Sequence, residues 1–432
     1  MRRLIVVIAA VAALTVPAFG QKPAKQRMVV VISLDGFPAY ALDDQKLPIP
    51  TLRRLIAKGV TARMGTINPT VTWPNHTAIV SGVRADEHGL LANGTIRKTG
   101  VGPAVKVEPM LDKEKMVHVP TVYDAAFKAG LTTAQVDWVA IEKAKTITWS
   151  FAEWPSPGGP VEQELLKKGA LSAGDLENFT KANIVFRDQT WTTAGVNLIR
   201  DHKPNLLLFH LLTLDTTHHQ YGPGNLAAND AIAFLDSCVA RLVEAVRAAG
   251  MEKDTTFIVV SDHGFKKYTN VIRPAVALEA AGLGKDVFVL AEGGTAYVYF
   301  DRAATMAPKV IAALKGVDGL AKILGLPDFP ALHLPSADQD PQMYQLLLTA
   351  KDGYSFSGAT GGPVTAAVPQ QAGSHGYLAS DPDMDAIFIA SGYGVKAGGK
   401  LDKIQNVDVA STLAELLGVK LPGAKGKPVP LN

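Results

Sequence analysis

The segment Met28-Val29-Val30-Val31-Ile32-Ser33-Leu34 is apolar along almost its whole length and rich in β-branched side chains. A strand with one face in water alternates polar and apolar residues, so a run of this kind must be covered on both faces. It stops at Asp35-Gly36, and a helical stretch over residues 51–58, closed by Gly59, follows. The same rhythm returns along the chain. Residues 206–212 form an apolar run leading to Asp215; residues 256–260 lead to Ser261-Asp262-His263-Gly264; residues 386–390 lead to Ser391-Gly392. Helical patterns lie between them, as over residues 231–249 and 409–417. This alternation predicts an α/β fold, a mainly parallel doubly wound sheet with helices on both faces. Ligands of such sheets bind beyond the carboxyl ends of the strands, so the polar residues closing each run are where chemistry is expected.

Residues 266–372 break the rhythm. Residues 287–290 and 296–300 read as a hairpin around Gly293-Gly294, followed by a helix over 306–314 and a proline-rich passage over 327–341. We expect a smaller inserted α+β cap domain here, lying over a site built by residues 27–265 and 373–425.

The first residues carry a different signal. Met1-Arg2-Arg3 is positive, residues 4–16 are almost wholly apolar, and Ala18-Phe19-Gly20 precedes Gln21 as a small-x-small site. That is the layout of a secretory signal peptide over residues 1–20, too short to span a bilayer comfortably; an uncleaved anchor is the alternative. The expected location is periplasmic or secreted, without stable membrane insertion after cleavage. The chain has 43 Lys+Arg against 40 Asp+Glu, and removal of Arg2 and Arg3 leaves 41 against 40. A balance this even argues against nucleic-acid scaffold binding or a membrane-surface role driven by bulk charge. A single cysteine, Cys238, excludes an intrachain disulfide framework and a cysteine-based zinc site.

The strand ends hold a dispersed set of metal-ligand types. Asp35 closes the first run; Asp215 and His219 follow another, in Asp215-Thr216-Thr217-His218-His219; Asp262-His263 closes a third; His375 lies in Gly373-Ser374-His375-Gly376-Tyr377 before the last. Three carboxylates and three imidazoles suit two zinc-like divalent ions, although manganese or iron accept the same ligands. Two ions roughly 4 Å apart can clamp the attacking and leaving oxygens of a phosphoryl group. Each piece alone reads as a capped turn or a helix surface; their joint placement at strand ends is the signal.

Thr72, in Thr70-Val71-Thr72-Trp73-Pro74-Asn75-His76, is the candidate nucleophile, at the start of a helix through Ala78-Ile79-Val80. A helix N-terminus favours anions, and a metal-bound hydroxyl loses its proton readily, so no Ser-His-Asp relay is needed. Taken alone, Thr72 would read as an N-cap.

These stretches resemble the nucleotide pyrophosphatase/phosphodiesterase (type I phosphodiesterase) branch of the alkaline phosphatase superfamily. Thr72 to His76 resembles its nucleophile motif, with Trp73 where an aromatic is usual; His88-Gly89-Leu90-Leu91-Ala92-Asn93 resembles the segment whose asparagine binds a phosphoryl oxygen. Asp215 to His219, Ser261 to Gly264 and Gly373 to Tyr377 resemble its metal-ligand motifs, in the same order over residues 28–417. The resemblance implies an alkaline phosphatase-like fold and two Zn2+ per chain. Asp215, His219 and His375 would hold one, and Asp35, Thr72, Asp262 and His263 the other. It further implies a covalent phospho- or nucleotidyl-threonine, with the Asn93 amide donating to the non-bridging oxygen that gains charge. Trp73 would offer a flat face to a nucleobase or other apolar group, against a plain packing role.

The substrate expected is a small phosphate ester or nucleotide. Monoesterases of this superfamily with a Thr nucleophile carry a Lys-x-Arg pair, which adds cations for a dianion; here Lys143 and Lys145 stand in the comparable stretch and read as a solvated helix face. The diesterase branch often has an aromatic-Trp-Pro-Gly segment there, and Asp137-Trp138-Val139-Ala140 matches only its Trp. A phosphodiesterase or nucleotide pyrophosphatase therefore stands first, a monoesterase second and a phosphonate hydrolase third. An inactive, metal-binding module would lack the nucleophile or a ligand, and every position is filled. Of the glycosylation sequons at Asn75, Asn93 and Asn178, the first two overlap the expected site. His76, His88, His210 and His218 are expected to be structural, and Cys238 a buried small hydrophobe.

Overall fold

A computed structural model describes residues 23–432. The signal-peptide expectation for residues 1–20 lies outside the described residues.

Seven strands build the main sheet: β1 (Met28–Leu34), β2 (Gly59–Gly65), β3 (Thr133–Val136), β4 (Trp149–Phe151), β5 (Leu206–Leu211), β6 (Thr255–Val260) and β7 (Ala386–Gly392). Their order is β2-β7-β6-β1-β5-β3-β4, and the short pieces Gly399–Lys400 and Ile404–Gln405 complete the β2 edge. β6, β1, β5, β3 and β4 pair in parallel, whereas β7 runs antiparallel to both β6 and β2. The fully apolar reading of β1 is realised as burial at every position. Met28, Val30, Ile32 and Leu34 meet the helices Ile184–Asn197 and Leu226–Ala248 on one face. Val29 and Val31 meet Thr72–Ser81, Val122–Lys128 and Val407–Leu417 on the other. The alternation of a strand thus sends successive side chains into two separate cores.

Two features differ from the sequence expectation. The turn closing residues 386–390 does not join the strand ends that bear Asp35 and Asp262. Because β7 is antiparallel, Ser391-Gly392 pairs with the start of β6, at Phe257 and Thr256, while Ala386 lies beside the end of β2. The chain re-enters the sheet from the site side, which is why His375, upstream of β7, reaches that side. Second, residues 139–145 form turns rather than a helix face.

Residues 266–374 carry two small sheets. One is antiparallel, in the order Val287–Glu292, Thr295–Phe300, Leu346–Ala350, Leu320–Gly325; the other joins Gly353–Phe356, Lys266–Ile272 and Thr365–Ser374. The expected hairpin forms, and its tip packs on the segment bearing His375. Gly294 N donates to His375 O at 2.9 Å, and a Cβ on Gly293 would stand 2.3 Å from that same oxygen. Glycine is required there by contact as well as by its φ of +69°. None of residues 266–372 lines the cavity beside Thr72. This part of the chain meets the site's surroundings through the hairpin tip and through Tyr297 and Gln342, whose side chains donate to the Leu91 and Gly89 carbonyls ahead of Asn93.

Ile32 lies at the centre of the sheet with no exposure. Its truncation in Ile32→Ala is expected to remove about 2–5 kcal/mol of stability, read as a lower urea midpoint at unchanged slope.

Candidate active site

β1 lies between β5 and β6, where successive connections leave toward opposite edges of the sheet, and the crevice beyond such a point is the usual ligand position. Asp35 N donates to Leu211 O at 3.0 Å, so the β1–β5 ladder runs one residue further and aims Asp35 out of the sheet. Gly36 then turns with a φ of +67° and donates its N–H to Asp262 Oδ1 at 3.1 Å. Ser261 Oγ donates to Phe37 O at 2.7 Å and accepts from Ile387 N at 3.0 Å. Three strand ends are therefore bound to one another by short polar bridges.

Asp215 and His219 sit one turn apart on a helix, Thr213–Tyr221, whose start is fixed from outside. Buried Asp188 accepts from Leu212 N at 3.0 Å and Thr213 N at 2.9 Å, where the helix has free N–H groups. Thr72 is the first residue of the helix Thr72–Ser81. The N-cap is Val71, no side chain caps the helix, and the Thr72 hydroxyl lies 3.4 Å from His263 Nε2. The N-cap reading of Thr72 thus fails: its hydroxyl is turned toward the imidazole. Asn75 clamps the approach to it. Asn75 Nδ2 donates to Pro69 O at 2.9 Å and Val71 O at 3.0 Å, while its Oδ1 accepts from Ile67 N and Asn406 Nδ2. Asn75 is fully buried, so it is closed to glycosylation, whereas Asn178 is exposed. Asn93 Oδ1 accepts from Trp73 N at 2.9 Å, which leaves the Nδ2 amide as its donating end. Asn93, Thr72 and Trp73 line one cavity of about 370 Å³ with Asp215, His219 and His375.

Ligand atoms of Asp35, Asp262 and His263 lie within 4.8 Å of one another, as do those of Asp215, His263 and His375. His263 thus stands in both groups. His219 remains outside them, its Nε2 3.5 Å from Asp215 Oδ1 and its side chain 44% exposed. His219 stands beside the second group, its ring 5.0 Å from that of His375.

The donor set fits divalent cations. Asp35 Oδ1, Asp215 Oδ1 and Asp262 Oδ2 are buried without a hydrogen bond. Burial, then the charges of Asp262 and Asp215, push the Asp35 carboxyl well above its usual range. Burial, then His263 and His219, hold His375 well below the usual imidazole range, in the neutral form that binds a metal. Buried carboxylate oxygens crowded together without donors are costly, and a cation among them removes the cost.

One pair of functional rank was missed from sequence. His210 Nε2 lies 3.0 Å from Asp35 Oδ2, and its Nδ1 lies 3.1 Å from Asp137 Oδ2, all three side chains having no exposure. His210 was read as structural and Asp137 only as part of a poor motif match. The available signal was a histidine inside an otherwise apolar strand, one residue before that strand ends. Asp137 also takes a φ of +56°, uncommon for a residue with a Cβ. His76 and His218 fit the structural reading: both are buried, with Nδ1 at 2.9 Å from Thr72 O and 3.2 Å from Gly36 O, and burial pushes each down to about 3. Lys143 is solvated and lies 3.0 Å from Asp112, as the expectation had it, although on a turn.

This doubly wound sheet, with its polar residues gathered at the strand ends, is the architecture of the alkaline phosphatase superfamily. The family described as type I phosphodiesterase / nucleotide pyrophosphatase matches residues 29–378, and the chain belongs to that family. It is 24% identical over 417 residues to ectonucleotide pyrophosphatase/phosphodiesterase family member 7 of Rattus norvegicus, covering 91% of this chain and 84% of the relative. To family member 1 of Mus musculus it is 23% identical over 419 residues, covering 90% of this chain and 40% of that one. Among solved structures, human ectonucleotide pyrophosphatase/phosphodiesterase 5 superposes with a TM-score of 0.72 at 18% identity, over 94% of this chain and 97% of that one. An inactive form of the murine protein 5 in complex with AMP superposes at 0.69, with the same identity and coverage.

Replacing His210 by leucine strands two buried carboxylates. His210→Leu is expected to lose on the order of 3–5 kcal/mol of unfolding free energy, measured by denaturant titration in the presence of a chelator, and Asp137→Asn less, because the Asp137 backbone carbonyl 3.0 Å from His210 Nδ1 is kept.

Proposed function

We propose that the chain is an extracytoplasmic two-zinc hydrolase. It cleaves phosphodiester or pyrophosphate bonds of small molecules, nucleotides among them, through a covalent intermediate on Thr72. The names of its relatives and the AMP bound by the murine neighbour support the substrate class. No helix among the described residues is long and apolar enough to cross a membrane, and relatives are named as ectoenzymes.

The observation that supports a diester over a monoester is the lining of the cavity at Thr72. It contains no Lys or Arg but does contain Glu153. A monoester dianion would meet no side-chain cation there, and Lys143 and Lys145 are not in that lining. A monoesterase, and after it a phosphonate hydrolase, remain the alternatives that the substrate comparison below tests.

In the mechanism we infer, Asp215, His219 and His375 hold one ion and Asp35, Thr72, Asp262 and His263 the other. The ions would supply Lewis-acid stabilisation of oxygen charge and ease deprotonation of the hydroxyl. Thr72 Oγ1 bonds to phosphorus as the bond to the leaving oxygen breaks, and the hydroxyl proton passes to solvent. Water then attacks phosphorus, the P–Oγ1 bond breaks, and the hydroxyl is restored. The Asn93 amide, held by Trp73 N, donates to the non-bridging oxygen as its charge grows. His210 and Asp137 keep Asp35 in place through both steps. The 266–372 region is assigned as a separate inserted domain.

Thr72→Ala is expected to lower kcat by at least about 10³-fold with zinc content largely intact by elemental analysis, since Asp35, Asp262 and His263 remain to hold that ion, and Thr72→Ser to retain part of the activity. Substantial turnover in Thr72→Ala would sink the covalent route. On the zinc-loaded protein, kcat/KM for bis-p-nitrophenyl phosphate should exceed that for p-nitrophenyl phosphate by more than about tenfold; the reverse order would make the monoesterase the answer.

A further inference from the structure

The cavity at Thr72 continues into a larger one of about 500 Å³, and the two share Trp73, Pro109, Met110, Val139, Glu153 and Trp154. Met110 and Trp154 are exposed large apolar side chains, 49% and 38% accessible, so apolar surface is presented to whatever enters. Glu153 lines both cavities with them. Its carboxylate makes no hydrogen bond or ion pair among the described residues. Glu162, nearby, is different: its Oε1 accepts from Ser156 N at 3.0 Å and fixes the turn that follows Trp154. The one cation lining the larger cavity, Lys143, lies 3.0 Å from Asp112. Arg187 stacks on the Trp154 ring at 4.7 Å but donates to the Phe179 and Thr180 carbonyls and lines neither cavity.

We infer that Glu153 is a charge filter on the ester group that stays attached to phosphorus, admitting uncharged or cationic, partly apolar groups and disfavouring anionic ones. The inference rests on the diesterase reading above. The smaller cavity has Thr72 and Asn93 in its lining; on the proposed reading it and the larger cavity receive the group retained on the threonine, while the leaving oxygen departs in line on the far side. Burial raises the Glu153 carboxyl above its ordinary value, and in its ionised form it repels a second anion strongly, because the intervening medium screens far less than water. Discrimination arises here from a repulsive element as much as from attraction. On this account the preferred substrates carry no negative charge on the retained ester group; a nucleoside polyphosphate attacked at its α-phosphate meets that condition, because the uncharged nucleoside is retained and the anionic polyphosphate leaves.

The test uses three p-nitrophenyl phosphodiesters with the same leaving group, the other ester being ethyl, 2-(trimethylammonio)ethyl or 2-carboxyethyl. With the zinc-loaded full chain, kcat/KM for the carboxyethyl ester is expected to lie about tenfold or more below that for the ethyl ester. In Glu153→Gln the carboxyethyl-to-ethyl ratio should rise about tenfold, and in Glu153→Lys further, while the trimethylammonioethyl-to-ethyl ratio falls. Each ratio is taken within one preparation, so a loss of active fraction cancels. Ratios that stay put in both variants, or a native enzyme that favours the carboxyethyl ester, would overturn the filter. Failure of the underlying reading has a separate signature: p-nitrophenyl phosphate is hydrolysed and all three diesters are not.

Discussion

Three carboxylates meet at the end of the main sheet with too few donors to satisfy them. Asp35 and Asp262 are wholly buried, and oxygens of both, with one of Asp215, lack hydrogen bonds. An arrangement of this kind opposes folding unless it is held from outside and neutralised from within. Much of the local structure serves the first requirement. Gly36 donates its N–H to Asp262, Asp188 secures the helix that bears Asp215, and His210 braces Asp35 against Asp137. Cations suit the second, and the same charge then becomes the means of binding a phosphoryl group.

The order of strands explains why this concentration of charge falls where it does. β1, β5 and β6 are neighbours, each reached by a separate crossover, so residues far apart in sequence arrive at one edge. β7 contributes through its reversed direction. The chain comes back from the small sheets at the same edge, and His375 sits on that return path with its Nδ1 3.0 Å from Thr70 O. The link ties the segment before the nucleophile to the last imidazole of the set. The Thr70 hydroxyl also donates to the Tyr377 carbonyl, closing the contact from the other side.

How much of this was legible in the sequence depended on burial on both faces. β1, β5 and β6 are apolar at nearly every position, and polar residues at their ends stood out against that background. β2, with Thr61 and Arg63 in it, and the short strands β3 and β4 gave no such contrast, being strands chiefly by virtue of their neighbours. The direction of β7 was not readable, since an apolar run has no polarity of its own. His210 was overlooked because its role is set by Asp35, 175 residues away, and by Asp137, 73 residues away. Nothing within the strand itself signals either partner. The alternation that sends Val31 and Ile32 to opposite cores was legible.

Glu153 shows where reading by motif stops being informative about substrates. The residues that hold and attack phosphorus are confined by geometry to strand ends and one helix start. The walls of the adjoining cavity come largely from turns, residues 138–143 and 152–159. Glu162 closes the second turn, since its buried carboxylate accepts from Ser156 N and packs so closely on Gly159 that a Cβ there would lie 2.0 Å away. With the turn fixed in that way, Glu153, which makes no hydrogen bond or ion pair among the described residues, is left to face the ester group. One glutamate thus holds the loop and another faces its cargo, so the charge presented to substrate can change without disturbing either the sheet or the ions' ligands.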